Sequence, residues 1–200
     1  LVLAYTNRAV DELCDAINRA MGCNDGNSDS YIRIGTQLSC DEKYRDRLLQ
    51  HISEKASNRE TLRNELNKIR IFVSTLASIH GKQEIFALKK FDVAIIDEAS
   101  QILEPQIIGL LPNFRKFIMI GDHNQLPAIV LQKNNAAAIR EAELNKLNLK
   151  SCAHSLFERL LNQAVANGWQ HAYAQLTTQG RMHNEIAAFP SLYFYSERLL

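Results

Sequence analysis

The stretch FDVAIIDEASQ, residues 91–101, is an apolar run that stops at two adjacent carboxylates, Asp97 and Glu98. Because almost no polar side chain interrupts the apolar ones, the run predicts a strand that is buried on both faces of a sheet. In parallel α/β sheets, ligands bind outside the carboxyl ends of the strands, which is where these two acids would lie. Two carboxylates there are well placed to hold a magnesium ion and to act as a base toward water.

Further apolar runs predict more strands, and helical patterns separate most of them. The predicted strands cover residues 1–5, 31–35, 71–76, 116–122 and 172–178. Helices are predicted after residue 6, from residue 104, within 135–167 and near 184–192. Strands that alternate with helices predict an α/β fold, with a parallel sheet covered by helices on both faces.

Composition narrows the possible function classes. The 200 residues carry a formal net charge of +1, so any contact with a polyanion has to come from local groups. No apolar stretch approaches the ~20 residues needed to cross a bilayer, and no membrane contact is expected. The four cysteines show no close ligand spacing. Without a visible secretion signal, we expect free thiols and an intracellular, cytoplasmic location.

The segment at about 38–70 differs from its surroundings because it is densely charged with both signs. A thin apolar seam runs through it, formed by Leu48, Ile52, Leu62, Leu66 and Ile69. This pattern predicts one or two exposed helices with a narrow contact face, in the form of an antiparallel stalk. Two interpretations stay open for the segment: a solvated surface insertion, or an arm that touches nucleic acid.

Other polar segments stand at predicted strand ends or helix starts, as Asp97 and Glu98 do. They are LAYTNRAVD (3–11), VSTLAS (73–78), IGDHNQLP (120–127) and LTTQGRMHNEI (176–186). In order and spacing, these segments together resemble the superfamily 1 helicases, in the branch of the nonsense-mediated-decay and Okazaki-fragment-processing helicases. The resemblance implies a RecA-like P-loop NTPase fold, ATP and magnesium as cofactors, and single-stranded DNA or RNA as the partner.

The resemblance also implies catalytic roles. In the Walker B-like segment, Asp97 would hold the magnesium ion through water, and Glu98 would orient and deprotonate the attacking water. In the segment like motif III, Gln125 would reach the γ-phosphate or its attacking water with an amide that both donates and accepts. In the segment like motif IV, Arg181 would be an arginine finger from a second motor domain. A structural ion pair is the alternative for Arg181.

Three further residues are implied to bind nucleotide, namely Gly121, Asp122 and Gln179. Gly121 would allow the backbone to turn sharply beside the phosphates. Two nearby positions depart from the family pattern. Gly180 stands where an aromatic residue usually stacks on adenine, which puts tight base recognition in doubt, and Asn184 replaces a usual proline.

The nucleic-acid contacts implied by the resemblance fall on Thr6, Asn7 and Thr75. A hydroxyl and an amide at a helix start can offer hydrogen-bond donors to phosphate, together with backbone N–H groups. Simple capping of the helix is the alternative for Thr6 and Asn7. An ordinary hydroxyl at a strand end is the alternative in the segment that holds Thr75.

The domain prediction depends on what the sequence lacks. No Gly-x-x-x-x-Gly-Lys-Ser/Thr phosphate loop occurs, and in the family this loop precedes the segment at 3–11. We therefore expect an excerpt of a longer protein whose flanking segments are missing. Residues 1–168 would form a RecA-like motor domain without its phosphate loop, with the insertion at about 38–70. Residues 169–200 would begin the second RecA-like domain, and the sequence does not predict an oligomeric state.

The leading hypothesis is a fragment of an ATP-dependent DNA or RNA helicase, which couples ATP hydrolysis to movement along a single strand. The family branch implies movement from 5′ to 3′. Two alternatives stay open: a nucleic-acid-binding scaffold with a degenerate ATPase, and an ATP-dependent remodeller of protein–nucleic acid complexes.

The 200-residue chain alone is expected to hydrolyse ATP very slowly or not at all. The reason is that the loop which cradles the β- and γ-phosphates in P-loop enzymes is missing from it. Released phosphate, measured with malachite green in the presence of magnesium, tests this expectation. Robust magnesium-dependent turnover by the chain alone would contradict it.

Overall fold

The computed structural model describes residues 1–22 and 31–199, and the loop predicted at 24–30 lies outside them. Its strands form a parallel sheet in the order β2-β3-β1-β4-β5. The strands are β1 (Val2–Ala4), β2 (Tyr31–Ile34), β3 (Ile71–Thr75), β4 (Phe91–Ile96) and β5 (Phe114–Met119). The predicted α/β class with a parallel sheet is therefore confirmed.

Helices fill the connections between the strands and follow the last of them. They are α1 (Asn7–Met21), α2 (Leu49–Lys55), α3 (Arg59–Lys68), α4 (Leu76–His80), α5 (Ile85–Leu88), α6 (Glu104–Ile107), α7 (Asn134–Ala137), α8 (Ala142–Lys146), α9 (Leu156–Ala166) and α10 (Asn184–Phe194). In the part of the chain that is described, no helix is both long and apolar enough to cross a membrane.

One predicted strand is absent. Residues 173–178 belong to no sheet and no helix, and a 3₁₀ turn at Gln170–Ala172 precedes them. Strand formation needs a neighbour that pairs with the backbone N–H and C=O groups. Among the described residues no strand lies beside this segment, so the apolar pattern alone does not make it a strand.

The two faces of the sheet carry separate apolar clusters, as the alternation of side chains along a strand requires. Leu3 and Phe72 point into the larger cluster. Ala4 and Val73, their immediate neighbours along the strands, point into a second cluster with Val10 of α1. The sheet is therefore covered on both faces where β1, β2 and β3 lie.

The half of the sheet formed by β4 and β5 is more open than the sequence predicts. Ala94 and Ile96 are buried, but Val93 and Ile95 on the opposite face are only half-buried. The prediction that this strand is buried on both faces is therefore wrong for the described chain. The physical reason is that α1 packs over β1 and β3, and the second apolar cluster, as far as the described residues show it, contains no residue of β4 or β5.

The charged insertion is not a stalk. The helices α2 and α3 are short and lie against the sheet, and the predicted apolar seam is the face that packs. Leu48 and Leu66 are fully buried. Residue Leu48 also forms a parallel bridge with Arg33, so the insertion covers the outer edge of β2. These contacts favour the interpretation of a surface insertion that protects a sheet edge.

A buried ion pair fastens α9 to α6, directly behind the loop that follows β4. Arg159 Nε donates to Glu104 Oε2 at 2.7 Å, and Arg159 Nη2 donates to Oε1 at 2.5 Å. The Arg159 Nη1 atom donates to the carbonyl of Leu147 at 2.9 Å. The bidentate geometry fixes the orientation of both side chains. The Glu104 side chain is only 4% exposed, so the Arg159 guanidinium replaces the water that its oxygens would otherwise contact.

Replacing Arg159 with methionine is expected to lower the free energy of unfolding by about 3–5 kcal/mol, because it leaves the Glu104 carboxylate buried and unpaired. Urea unfolding measures the change. The control is Arg115→Met, which removes an exposed pair with Asp92 (N–O distance 3.8 Å). That control should hardly move the urea midpoint. Equal midpoints for the two variants would show that burial of the Arg159 pair is not what matters.

Candidate functional site

The carboxyl ends of four neighbouring strands form one rim of the sheet. Residue Ala4 pairs with Thr75, and the next pairs across the sheet are Leu3 with Ile96 and Ile96 with Met119. Neighbouring strands lie about 4.8 Å apart, so the ends of β3, β1, β4 and β5 span roughly 15 Å. Most of the residues predicted from the sequence therefore gather along this rim.

The loops that follow β4 and β5 are joined by hydrogen bonds. The backbone N–H of Ile120 donates to the carbonyl of Ile96 at 2.8 Å, and that of Ala99 donates to the carbonyl of Ile120 at 2.8 Å. The N–H of Asp122 donates to Ser100 Oγ at 3.3 Å. The segment that begins with Asp97 and Glu98 is consequently fixed against the segment that leads to Gln125.

Gly121 is needed at this joint because another segment of backbone lies close to it. Its φ lies outside the left-handed region, so the position does not use the conformation that favours glycine. A Cβ atom at this position would lie 2.9 Å from the backbone nitrogen of Ser100 and 3.3 Å from that of Ala99. The missing side chain therefore allows two backbones to approach closely.

The acid pair adopts an unusual backbone. Glu98 is left-handed, with φ of 52°. This conformation costs a residue other than glycine roughly 1–2 kcal/mol. Two hydrogen bonds involving Gln101 help to hold it: Gln101 Nε2 donates to Glu98 Oε2 at 3.3 Å, and Gln101 N donates to the Glu98 carbonyl at 2.9 Å. Residues held in such conformations concentrate at active sites.

Asp97 and Glu98 differ in exposure, which suits different tasks. Asp97 is half-buried, and its Oδ1 accepts a hydrogen bond from the Glu98 N–H at 3.1 Å, whereas the Glu98 side chain is exposed. The described residues contain no group of three or more His, Cys, Asp or Glu side chains that could hold a metal ion by themselves. A single carboxylate such as Asp97 fits magnesium, which usually takes one or two carboxylates together with waters and substrate phosphates.

The carboxylate of Asp122 is used within the protein. Oδ1 accepts from the Asn124 N–H at 3.0 Å, and Oδ2 accepts from Gln125 Nε2 at 2.8 Å and from the Tyr195 hydroxyl at 2.5 Å. Partial burial raises the pKa of Asp122, but the three donated hydrogen bonds outweigh it and lower the pKa below the ordinary value. Asp122 is therefore ionised at neutral pH, and its bonds orient the Gln125 amide.

The residues predicted to contact nucleic acid have structural partners. Thr6 Oγ1 accepts from the Ala9 N–H at 3.1 Å and caps α1. Thr75 is 5% exposed, and its Oγ1 accepts from the Ser78 N–H at 3.0 Å and caps α4. These contacts are the capping that the sequence left open for Thr6, and Thr75 also caps a helix. Contact with nucleic acid stays a prediction for both.

Asn7 lies at the first position of α1 and faces the buried Arg33. Its Oδ1 accepts from Arg33 Nη2 at 3.5 Å, a long hydrogen bond, while Arg33 Nε donates to Asp11 at 2.8 Å. The Asn7 side chain is exposed, so its amide nitrogen can still donate to an external group. Its contact with nucleic acid stays a prediction as well.

Arg181 and Gln179 stand before α10. Gln179 Oε1 accepts from the N–H groups of Arg181 and Met182 at 3.1 and 2.8 Å, so Gln179 shapes this turn. Arg181 is exposed, and its guanidinium has no hydrogen bond or ion pair with any described residue. The structure does not place it in contact with Asp97 or Glu98. Arg181 precedes the first residue of α10, whereas the contacts with the rim are made at the end of that helix, by Phe194 and Tyr195. The helix has 11 residues and is about 16 Å long.

Two residues that contribute to the site were not found from the sequence. Ser100 receives the hydrogen bond that joins the loops after β4 and β5. Tyr195, which donates to Asp122, is separated from it by 73 positions. A serine beside an acid pair and a tyrosine near a helix end are common, and nothing in their spacing links them to Asp122.

Comparisons with known proteins agree with the fold. Two family models match, each described as an AAA domain, one over residues 39–133 and one over residues 152–200. Together the two matched ranges take in well over half of the chain.

Similar curated proteins are ATP-dependent helicases. The "DNA replication ATP-dependent helicase/nuclease JHS1" of Arabidopsis thaliana is 30% identical over 199 residues, which is 100% of the chain and 13% of that protein. The human "DNA replication ATP-dependent helicase/nuclease DNA2" is 30% identical over 200 residues, 100% of the chain and 16% of that protein.

An archaeal relative shows the same relationship over part of the chain. The "Uncharacterized ATP-dependent helicase MJ0104" of Methanocaldococcus jannaschii is 37% identical over 116 residues, 58% of the chain and 14% of that protein. The chain thus spans only a small part of the length of the relatives it matches. The family matches, the relatives and the order of the rim segments agree with one another, and the chain belongs to the superfamily 1 helicases, in the branch that includes the DNA2-type helicases.

Proposed function

We propose that the chain is the catalytic rim of an ATP-driven motor that moves along single-stranded nucleic acid. The observation that carries the proposal is the joint between the loops after β4 and β5, which holds the acid pair and the Gln125 loop at one edge of the sheet. Polar groups from two neighbouring strand ends thereby lie beside each other outside the carboxyl ends of the strands, which is where parallel α/β sheets bind their ligands.

The acid pair divides the hydrolytic work between its two members. Asp97, half-buried at the strand end, would hold a magnesium ion, which neutralises charge on the phosphate oxygens when bound. Glu98, exposed and fixed by Gln101, would orient and deprotonate the attacking water. The left-handed backbone at Glu98 turns the chain sharply, so that two consecutive carboxylates can point in different directions and take different roles.

Gln125 and Arg181 would act on the transferred phosphoryl group from different segments. Gln125 lies in the loop after β5 and can contact either the γ-phosphate or the water. Arg181 is exposed and unpaired among the described residues, so it is free to swing toward a phosphate as an arginine finger. In this arrangement it does not contact the acids, and the proposed role therefore needs closure of the segment that carries α10.

The open edge of β5 supports the proposal that the rest of the protein completes the site. Phe117 is 43% exposed and Ile118 is 52% exposed, on opposite faces of this edge strand. Proteins usually cover or charge such edges. A further parallel strand paired with β5 would end beside Gly121. A loop after that strand, such as the phosphate loop that this chain lacks, would then face Asp97 and Glu98.

The nucleic-acid path is proposed to follow the same rim across the starts of α1 and α4. Thr6, Asn7 and Thr75 stand at these helix starts, where backbone N–H groups favour phosphate. The DNA2 and JHS1 relatives are named as DNA replication helicase/nucleases, which favours DNA over RNA as the strand.

An intracellular location stays a prediction. The described cysteines Cys14, Cys40 and Cys152 are free, which agrees with a reducing compartment.

In the full-length protein, Glu98→Gln is expected to reduce ATP hydrolysis by roughly 10²–10⁴-fold while ATP binding persists, because only the proton acceptor is lost. Steady-state phosphate release and equilibrium binding of a fluorescent ATP analogue measure the two effects. The matched control is Asp92→Asn, an exposed acid at the opposite end of the same strand, which should keep normal turnover.

Arg181→Ala in the full-length protein is expected to reduce turnover by roughly 10³–10⁵-fold with much less effect on ATP affinity. Arg140→Ala, another exposed arginine, is the control. Near-normal turnover by the Arg181 variant would show that this residue is not the finger. If the wild-type protein bound single strands but never hydrolysed ATP, the scaffold alternative would replace the motor.

A further inference from the structure

A hydrogen-bond chain joins the end of α10 to the loop after β5. The Tyr195 hydroxyl donates to Asp122 Oδ2 at 2.5 Å, and the same oxygen accepts from Gln125 Nε2 at 2.8 Å. A second contact runs in parallel, from Asn124 Nδ2 to the carbonyl of Phe194 at 2.9 Å. Two neighbouring residues at the end of one helix therefore bind two residues of one loop.

The position of Tyr195 is well defined by its own backbone. Its N–H donates to the Ser191 carbonyl at 3.2 Å, and Ser196 and Glu197 are both left-handed, with φ of 52° and 60°. These two residues stop α10 immediately after the tyrosine. The phenol is consequently presented from a fixed turn, so any movement of α10 would carry it along.

The chemistry of the Tyr195–Asp122 contact is that of a charge-assisted bond. Partial burial and the bond to the Asp122 carboxylate together raise the pKa of Tyr195 to about 12. The phenol is therefore protonated at neutral pH and donates to an ionised acceptor. Hydrogen bonds with one charged partner are shorter and about twice as strong as neutral ones.

The bond to Asp122 also fixes which way the Gln125 amide faces. A carboxylate can only accept, so the amide nitrogen must point to Asp122 and the Oε1 atom must point away from it. Among the described residues, Oε1 of Gln125 has no hydrogen-bond partner. An acceptor that is free and held in one orientation suits a water molecule, which has hydrogens to donate.

We propose that Tyr195 is a positioning residue for Gln125, acting through Asp122, so that the position of α10 controls how the loop after β5 is oriented. The inference deepens the proposed function and rests on it. It also gives Asp122 a different task from the nucleotide contact that the sequence suggested, because its carboxylate orients Gln125 instead of touching phosphate.

The test compares Tyr195→Phe with Tyr193→Phe in the full-length protein. Each variant removes one hydroxyl, from Tyr193 in the last turn of α10 or from Tyr195 directly after it. Residue Tyr193 is 67% exposed, and among the described residues its hydroxyl has no hydrogen bond. Tyr195→Phe is expected to lower kcat for ATP hydrolysis about tenfold, on the scale of one hydrogen bond to a charged group, with KM for ATP almost unchanged. Tyr193→Phe should match the wild type.

A second measurement distinguishes positioning from a general structural effect. In a Gln125→Ala background, Tyr195→Phe should cause no further loss of kcat, because the residue through which it acts is gone. Amide hydrogen exchange across residues 119–127 should also become faster in Tyr195→Phe than in Tyr193→Phe. If Tyr195→Phe lowers the melting temperature strongly, Asp122→Asn replaces it. The same two quantities are then measured: kcat with and without Gln125→Ala, and amide exchange across residues 119–127.

The outcomes separate this inference from the proposed function. Equal kcat and equal exchange for the two tyrosine variants would overturn the inference, and so would a full tenfold loss that persists without Gln125. Both results leave the motor intact as long as Glu98→Gln still abolishes turnover. Loss of the proposed function is recognised separately, when Glu98→Gln and the wild type hydrolyse ATP at the same rate.

Discussion

The backbone contact between the ends of β4 and β5 is the constraint on which the site depends. Ile120 donates to Ile96 on one side and accepts from Ala99 on the other, at 2.8 Å in both bonds. This places the segment after the acid pair against the segment before Gln125. A shift of one loop would separate the groups that are proposed to hold the metal, the water and the phosphate, and such displacements are costly for catalysis.

The surroundings of this contact explain several unusual residues at once. Gly121 has no side chain because the backbone of Ser100 is too close, and Glu98 accepts a left-handed backbone just before the joined segment. Behind the loop, the ion pair of Glu104 with Arg159 fixes α6 against α9. The strained backbone of Glu98 is therefore held in place by the close packing at Gly121 and by the Glu104–Arg159 pair behind the loop.

The success of the sequence-based predictions varied with the kind of contact involved. The strand that runs up to Asp97 and the capping of α1 by Thr6 depend on neighbours along the chain, and the sequence indicated both where they lie. The strand predicted at 172–178 and the stalk at about 38–70 were wrong, because a strand needs a paired neighbour and a helix pair can fold back onto a sheet edge. The half-open face of β4 and β5 was missed for the same reason.

The sequence by itself determined the class of fold, the family and the order of the polar segments along the chain, because apolar periodicity and strand ends are local properties. Tertiary structure alone decided what those polar groups touch. In the folded chain the Asp122 carboxylate accepts hydrogen bonds from Tyr195 and Gln125, and the backbone of Ser100 lies close to Gly121. Arg181 is exposed and makes no contact with Asp97 or Glu98. Hydrogen bonds between residues as far apart as 73 positions depend on how helices and strands pack, and no local pattern records that packing.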